Sequence, residues 1–182
     1  EGHARIAVRT YALGNGLYHY DYAVMNVDFA HAVIDPAHSI DDLTANPQGL
    51  KLLSSKGFNR FSVPIGADVN ISNLTFADAD TNATNDWTSA VAGGHITWQA
   101  PDDNALNWGT LYAFGFDADH APNSGNLALA LTQSDSPLLT STVDPATEYS
   151  AMTLAPVVAS VEPTILPTLS HSSLLAIAVL IV

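Results

Sequence analysis

Apolar and polar residues alternate with a period of two along much of the chain up to residue 132, the spacing of a strand with one buried face. Positions 3–13 alternate loosely, with Ile6 and Val8 on one face and Arg5, Ala7 and Arg9 on the other. Gly14-Asn15-Gly16 follows, a hairpin signal because Gly and Asn tolerate positive φ. In 17–24 the pattern is sharper: Tyr18, Tyr20, Tyr22 and Val24 share one face, His19, Asp21 and Ala23 the other. Further strands are predicted at 58–64, 69–76, 87–92 and 95–99, the last two joined at Gly93-Gly94. Positions 105–116 read as the clearest strand, with Leu106, Trp108, Thr110, Tyr112, Phe114 and Phe116 on one face. Asn107, Gly109, Leu111, Ala113 and Gly115 form its other face, whose small residues predict close approach of another layer or chain. Leu127, Leu129 and Leu131 mark a last strand.

Short strands separated by turns, with little helix, predict an all-β fold. The expected architecture is an antiparallel β-sandwich, Ig-like or jelly-roll-like, over residues 1–133. Positions 29–57 break the pattern and read as a surface insertion, with a capped helix start at Ser39-Ile40-Asp41-Asp42 and a helical turn over 50–53. From 134 to 170 Ser, Thr, Pro and Ala dominate, which predicts an extended linker, so a domain ending at Gln133 should stay folded. Residues 171–182 end in a purely apolar run, expected to be a tail helix that anchors the chain through Leu174, Leu175, Ile177, Val179, Leu180 and Ile181. Nine apolar residues are too few to span a bilayer, which takes roughly twenty. The run therefore reads as part of a membrane helix or as a surface for a partner; the alternative is a buried strand.

Composition narrows the function. Of 182 residues 47% are hydrophobic, enough for a real core, while the formal net charge is -13. No Lys or Arg follows Arg60. Nucleic acid is excluded as a partner, because phosphate binding needs clustered cations. The absence of cysteine excludes a disulfide scaffold, a thiolate metal site and a cysteine nucleophile. The chain opens on Glu1 rather than Met, which predicts removal of a signal peptide or cleavage of a longer precursor.

Candidate chemistry is sparse. Asp78, Asp80, Asn82 and Asp86 place oxygen ligands within one short loop and could turn inward around calcium. The loop is not an EF-hand, since Ala83 stands where Gly is needed, and its other reading is an acidic turn held by local hydrogen bonds. Asp117, Asp119 and His120, with Asp102 and Asp103, form a second acidic group. The seven histidines lack zinc spacing, and His19 reads as an ordinary strand residue. No Gly-x-Ser-x-Gly and no phosphate-binding Gly loop is present, so neither a serine hydrolase nor a nucleotide cofactor is expected. Loop carboxylates leave a hydrolase as a third reading. The aromatic residues, spaced by two, read mostly as core.

The Tyr-rich strand ending Ala23-Val24-Met25-Asn26, then Phe61-Ser62-Val63-Pro64, Asp86-Trp87-Thr88, Ile96-Thr97-Trp98, and Asn104-Ala105-Leu106-Asn107-Trp108-Gly109-Thr110-Leu111-Tyr112 form a set of blocks. Together they resemble the C-terminal domain of a family of secreted bacterial proteins. The resemblance covers roughly residues 1–132 and departs at 29–57; it implies secretion and no assigned activity. Leu166-Pro167-Thr168-Leu169-Ser170 before the apolar run is similar to bacterial C-terminal sorting signals of the Ile-Pro-Thr-Leu-Ser type, although His171 and Ser172 follow where Glu-Trp is usual. The leading expectation is a non-catalytic structural or accessory subunit, periplasmic or at the cell surface. Its tail would tether it to a membrane, a membrane-protein complex or further copies of itself. The alternative is a calcium-dependent carbohydrate- or surface-binding module.

Overall fold

The computed structural model describes residues 3–27, 33–34, 52–54, 57–101, 104–131 and 148–158. They form eleven strands: β1 Ala4–Gly14, β2 Leu17–Asn26, β3 Val33–Ile34, β4 Leu52–Ser54, β5 Phe58–Pro64, β6 Ile71–Ala77, β7 Thr88–Ala92, β8 His95–Gln99, β9 Leu111–Ala118, β10 Asn123–Leu131 and β11 Glu148–Ala155. One sheet has the order β1-β2-β9-β6, a second β11-β10-β5-β8-β7, and β3 pairs with β4. Every pairing is antiparallel. The all-β, two-sheet architecture expected from the alternation is present.

The first hairpin shows how local sequence sets this order. Gly14, Asn15 and Gly16 have φ of 96°, 53° and 80°, which turn the chain so that Ile6 meets Val24 and Val8 meets Tyr22. From β2 the core receives Tyr20, Tyr22 and Val24, and β9 adds Tyr112, Phe114 and Phe116. The other sheet answers with Phe61 and Val63 of β5, Ile96 and Trp98 of β8, and Leu127 and Leu129 of β10. Phe114 lies at the centre, its ring 4.6 Å from Phe61, 5.4 Å from Trp98 and 5.4 Å from Trp87. Burying each such ring is worth about 1.5–3 kcal/mol, and the edge-to-face contacts add about 0.5–1.5 kcal/mol per pair.

Three expectations change. The strand predicted over 105–116 begins only at Leu111. Gly109 has φ +74° and donates its N–H to the Asn26 carbonyl, while Leu106 bridges Phe58. That turn throws Trp108 out of the predicted buried face and leaves it 71% exposed. Within the insertion, Leu52 and Leu53 belong to β4 rather than to a helical turn, because β4 pairs with β3 through Leu52 and Ser54. Part of the expected linker is β11, which pairs with β10 from Asn123↔Ala155 to Ala130↔Glu148. Ala155 is buried in the core and the Tyr22 hydroxyl donates to the Leu154 carbonyl (2.5 Å), so the domain extends past 133. The expected helix start at Ser39, the remaining linker and the tail 171–182 lie outside the described residues. Among the described residues no helix is long and apolar enough to cross a membrane.

Candidate functional site

Antiparallel register brings the polar residues of the four-stranded sheet into rows across its outer face. Tyr11, His19 and Asp117 form one row; Arg9, Asp21, Gly115 and Thr75 form the next; Ala7, Ala23, Ala113 and Ala77 form a third. Period two fixes the choice, since Tyr20 and Tyr22 point into the core and His19 and Asp21 must point away. A bulge in β6 between Ser72 and Thr75, with Asn73 at φ 51°, swings the Asn73 amide onto Asp117.

His19 stands between two carboxylates, with Nδ1 2.5 Å from Asp117 Oδ1 and Nε2 2.8 Å from Asp21 Oδ1. A neutral imidazole has one N–H, so both bonds form only in the imidazolium. Burial alone would lower the His19 pKa, but the hydrogen bonds to Asp117 and Asp21 outweigh it and raise it. Each carboxylate has a second donor. Asn73 Nδ2 donates to Asp117 Oδ2 at 2.5 Å, and this bond, with that of His19, lowers the Asp117 pKa. Arg9 donates from Nε (3.2 Å) and Nη2 (2.6 Å) to Asp21 Oδ2. Burial pushes Asp21 up, but Arg9 and His19 overcome it and hold the carboxyl below its ordinary value. The Tyr11 ring completes the circuit, 5.0 Å from the His19 ring and 5.4 Å from the Arg9 guanidinium carbon.

Two cations and two carboxylates thus balance, and both His19 nitrogens are occupied. The contacts of the cluster run from β1 through β2 and β9 to β6 and tie the four strands side by side. Beside it the Ala7, Ala23 and Ala113 methyls, Arg9, Asp21 and Thr75 line an open groove of about 380 Å³. No pattern along the chain signals the His19–Asp117 pair, because it depends on which strand lies beside β2.

The acidic loop is placed differently. Asp78 Oδ1 accepts from the Asp80 N–H (3.2 Å), Asp80 Oδ1 from the Asn82 N–H (2.6 Å), and Asn82 Oδ1 from the Thr84 N–H (3.3 Å) and hydroxyl (2.6 Å). These are side chains capping backbone two residues on. Asp78 Oδ2 is held by Asn104 Nδ2 at 2.6 Å. Among the described residues no group of three or more His, Cys, Asp or Glu is assembled to hold a metal ion.

Asn104, which sequence reasoning did not single out as a site residue, locks this loop to the core. Its side-chain amide also donates to the Asn85 carbonyl (2.9 Å), its side-chain oxygen accepts from Tyr112 (2.6 Å), and its backbone carbonyl accepts from Trp87 Nε1 (2.6 Å). Burial, then the charges of Asp78 and Asp80, push the Tyr112 hydroxyl pKa up.

The second acidic group divides. Asp117 joins His19, whereas Asp119 accepts from the Asn70 N–H and side-chain amide and from His120, which hold its carboxyl at about 2. Asp102, Asp103 and the anchor residues Leu174, Leu175, Ile177, Val179, Leu180 and Ile181 lie outside the described residues.

No protein-family model matches the chain. No curated protein matches it either. Among solved structures it aligns with the crystal structure of the KRT10-binding region domain of the pneumococcal serine-rich repeat protein PsrP. That alignment covers 74% of this chain and 90% of the other at 12% identity and a TM-score of 0.27, a likeness too slight to carry an argument.

Proposed function

We propose that this chain is a non-catalytic, extracytoplasmic structural or accessory module. In this reading it is an Ig-like or jelly-roll-like sandwich, tethered through the apolar segment 171–182 to a membrane, a membrane-protein complex or a surface assembly. The observation that carries the non-catalytic part is the closed Arg9–Asp21–His19–Asp117–Asn73 circuit, which spends its donors and acceptors on itself. The nine-residue apolar run at the C-terminal end supports the tether, and the resemblance to secreted bacterial proteins supports the location. Flotation with phosphatidylcholine vesicles tests it. The full chain should float or require detergent, and a chain ending at Val158 should do neither. A full chain that is monomeric and soluble without detergent would sink the tether.

A second reading is a calcium-dependent carbohydrate- or surface-binding module. It rests on the side-chain oxygens of Asp78, Asp80, Asn82 and Asp86 in one loop. Calcium should then raise the melting temperature, and Asp80→Ala should abolish the rise. An unchanged melting temperature in calcium rules this reading out.

A further inference from the structure

We propose that the free edge of β7 is a self-association surface, on which a second copy of this chain pairs through its own β7, antiparallel, about a two-fold axis at Ala90. The inference is independent of the tail and concerns the folded domain.

An edge strand offers unpaired N–H and C=O groups, and proteins usually blunt such edges with charge, proline or a bulge. The sandwich has four outer strands: β1, β6, β7 and β11. β1 carries Arg5 and Arg9 and shifts register between Ala12 and Gly14. The β6 edge is bulged at Ser72/Thr75. β11 starts at Glu148, which is paired with Arg60. Only β7 has none of these. It reads Thr-Ser-Ala-Val-Ala, every residue is exposed, and its register with β8 is unbroken. Residues 87–101 hold no Asp, Glu, Lys or Arg, so two copies of a chain with net charge -13 can meet here without placing charge on charge.

The geometry is self-complementary. Gly93-Gly94 closes a two-residue hairpin, which makes Ala92 and His95 a hydrogen-bonded pair. Alternation then gives Ala90↔Thr97 and Thr88↔Gln99 the same role and leaves the N–H and C=O of Ser89 and Val91 directed to the open side. A two-fold at Ala90 sets Ser89 against the partner's Val91, and Val91 against the partner's Ser89. Each pair exchanges both of its N–H···O=C bonds, so every outward group finds a mate.

The side chains agree. Val91 shares a sheet face with Ile96 and Trp98, both 0% exposed, yet is itself 47% exposed. A second β7 would extend the sheet beside it.

The chain has no cysteine, so a single introduced thiol reports the register. In the proposed pairing Ala90 opposes its own copy as a non-hydrogen-bonded pair, with Cα atoms about 4.5 Å apart, within disulfide reach. Under mild oxidation of the full chain in detergent, Ala90→Cys should give a covalent dimer. Ala92→Cys, which would face the partner's Thr88, should not. Val91→Lys should sediment as a monomer with an unchanged circular dichroism spectrum, while the wild-type chain sediments as a dimer. Equal crosslinking at 90 and 92, or the same sedimentation for wild type and Val91→Lys, overturns the proposal. Association through the tail would crosslink both cysteines alike, so the tether and this interface fail separately.

Discussion

His19 of β2 and Asp117 of β9 are register partners in one sheet and share a 2.5 Å hydrogen bond, although 98 residues separate them in the chain. With Asp21 on the other ring nitrogen, the pair turns one histidine into a charged clasp between two carboxylates.

The clasp gives stability a pH window. The folded pKa of His19 is raised above its ordinary value of about 6.5. Its contribution is therefore complete below that value and is lost as pH rises through the higher folded value. Asp21 and Asp117 are lowered from about 3.9, so theirs is complete above that value and is lost as pH falls through the lower folded values. Melting temperature should form a plateau between the two limbs. His19→Gln should flatten the alkaline limb, and an unchanged alkaline limb in that variant would refute the clasp.

The two ends of the circuit should differ in worth. Asp117 is buried and accepts from His19 and Asn73. Asp117→Ala removes the charged acceptor that His19 shares with Asn73 and should cost about 1.5–3 kcal/mol in urea denaturation. Arg9 lies in solvent, where ion pairs are screened, and Arg9→Ala should leave the denaturation midpoint close to wild type. Equal losses for the two variants would contradict this account.

Close packing on the outer face makes Gly115 sensitive. A Cβ there would lie 2.7 Å from Thr75 Oγ1 and 3.4 Å from the Tyr20 carbonyl. Thr is β-branched and stiff in a strand, so Gly115→Ala should cost about 1–3 kcal/mol. Adding Thr75→Ala should recover most of it, which a double-mutant cycle measures. Additive losses would place the strain elsewhere.

The domain boundary is open to a truncation test. A chain ending at Gln133 lacks β11, exposes the β10 edge and deprives Tyr22 of the Leu154 carbonyl. It should show no cooperative unfolding. A chain ending at Val158 keeps β11, the Pro156 carbonyl that accepts from Gly66 N–H, and the Val157 carbonyl that accepts from Asn123, and should unfold like the full chain. Cooperative unfolding of the shorter chain would restore 133 as the boundary.

The features legible along the chain are those that chain-local physics controls. The turn at Gly14-Asn15-Gly16 and the inward face of Tyr20, Tyr22 and Val24 follow from backbone sterics and the two-residue pleat, and so do the bounds of Phe58–Pro64 and His95–Gln99. Alternation also carried a false signal across Gly109, since a positive φ reverses the chain without disturbing the apolar pattern on either side. β11 was hidden because a Ser/Thr/Ala-rich edge strand has a linker's composition until β10 supplies its hydrogen bonds. The folding of distant strands against one another brings His19 to Asp117, ties the acidic loop to Tyr112 through Asn104, and leaves β7 with a bare edge. Each depends on strand order and register, which are set by long-range pairing of faces, and no window along the chain contains that information.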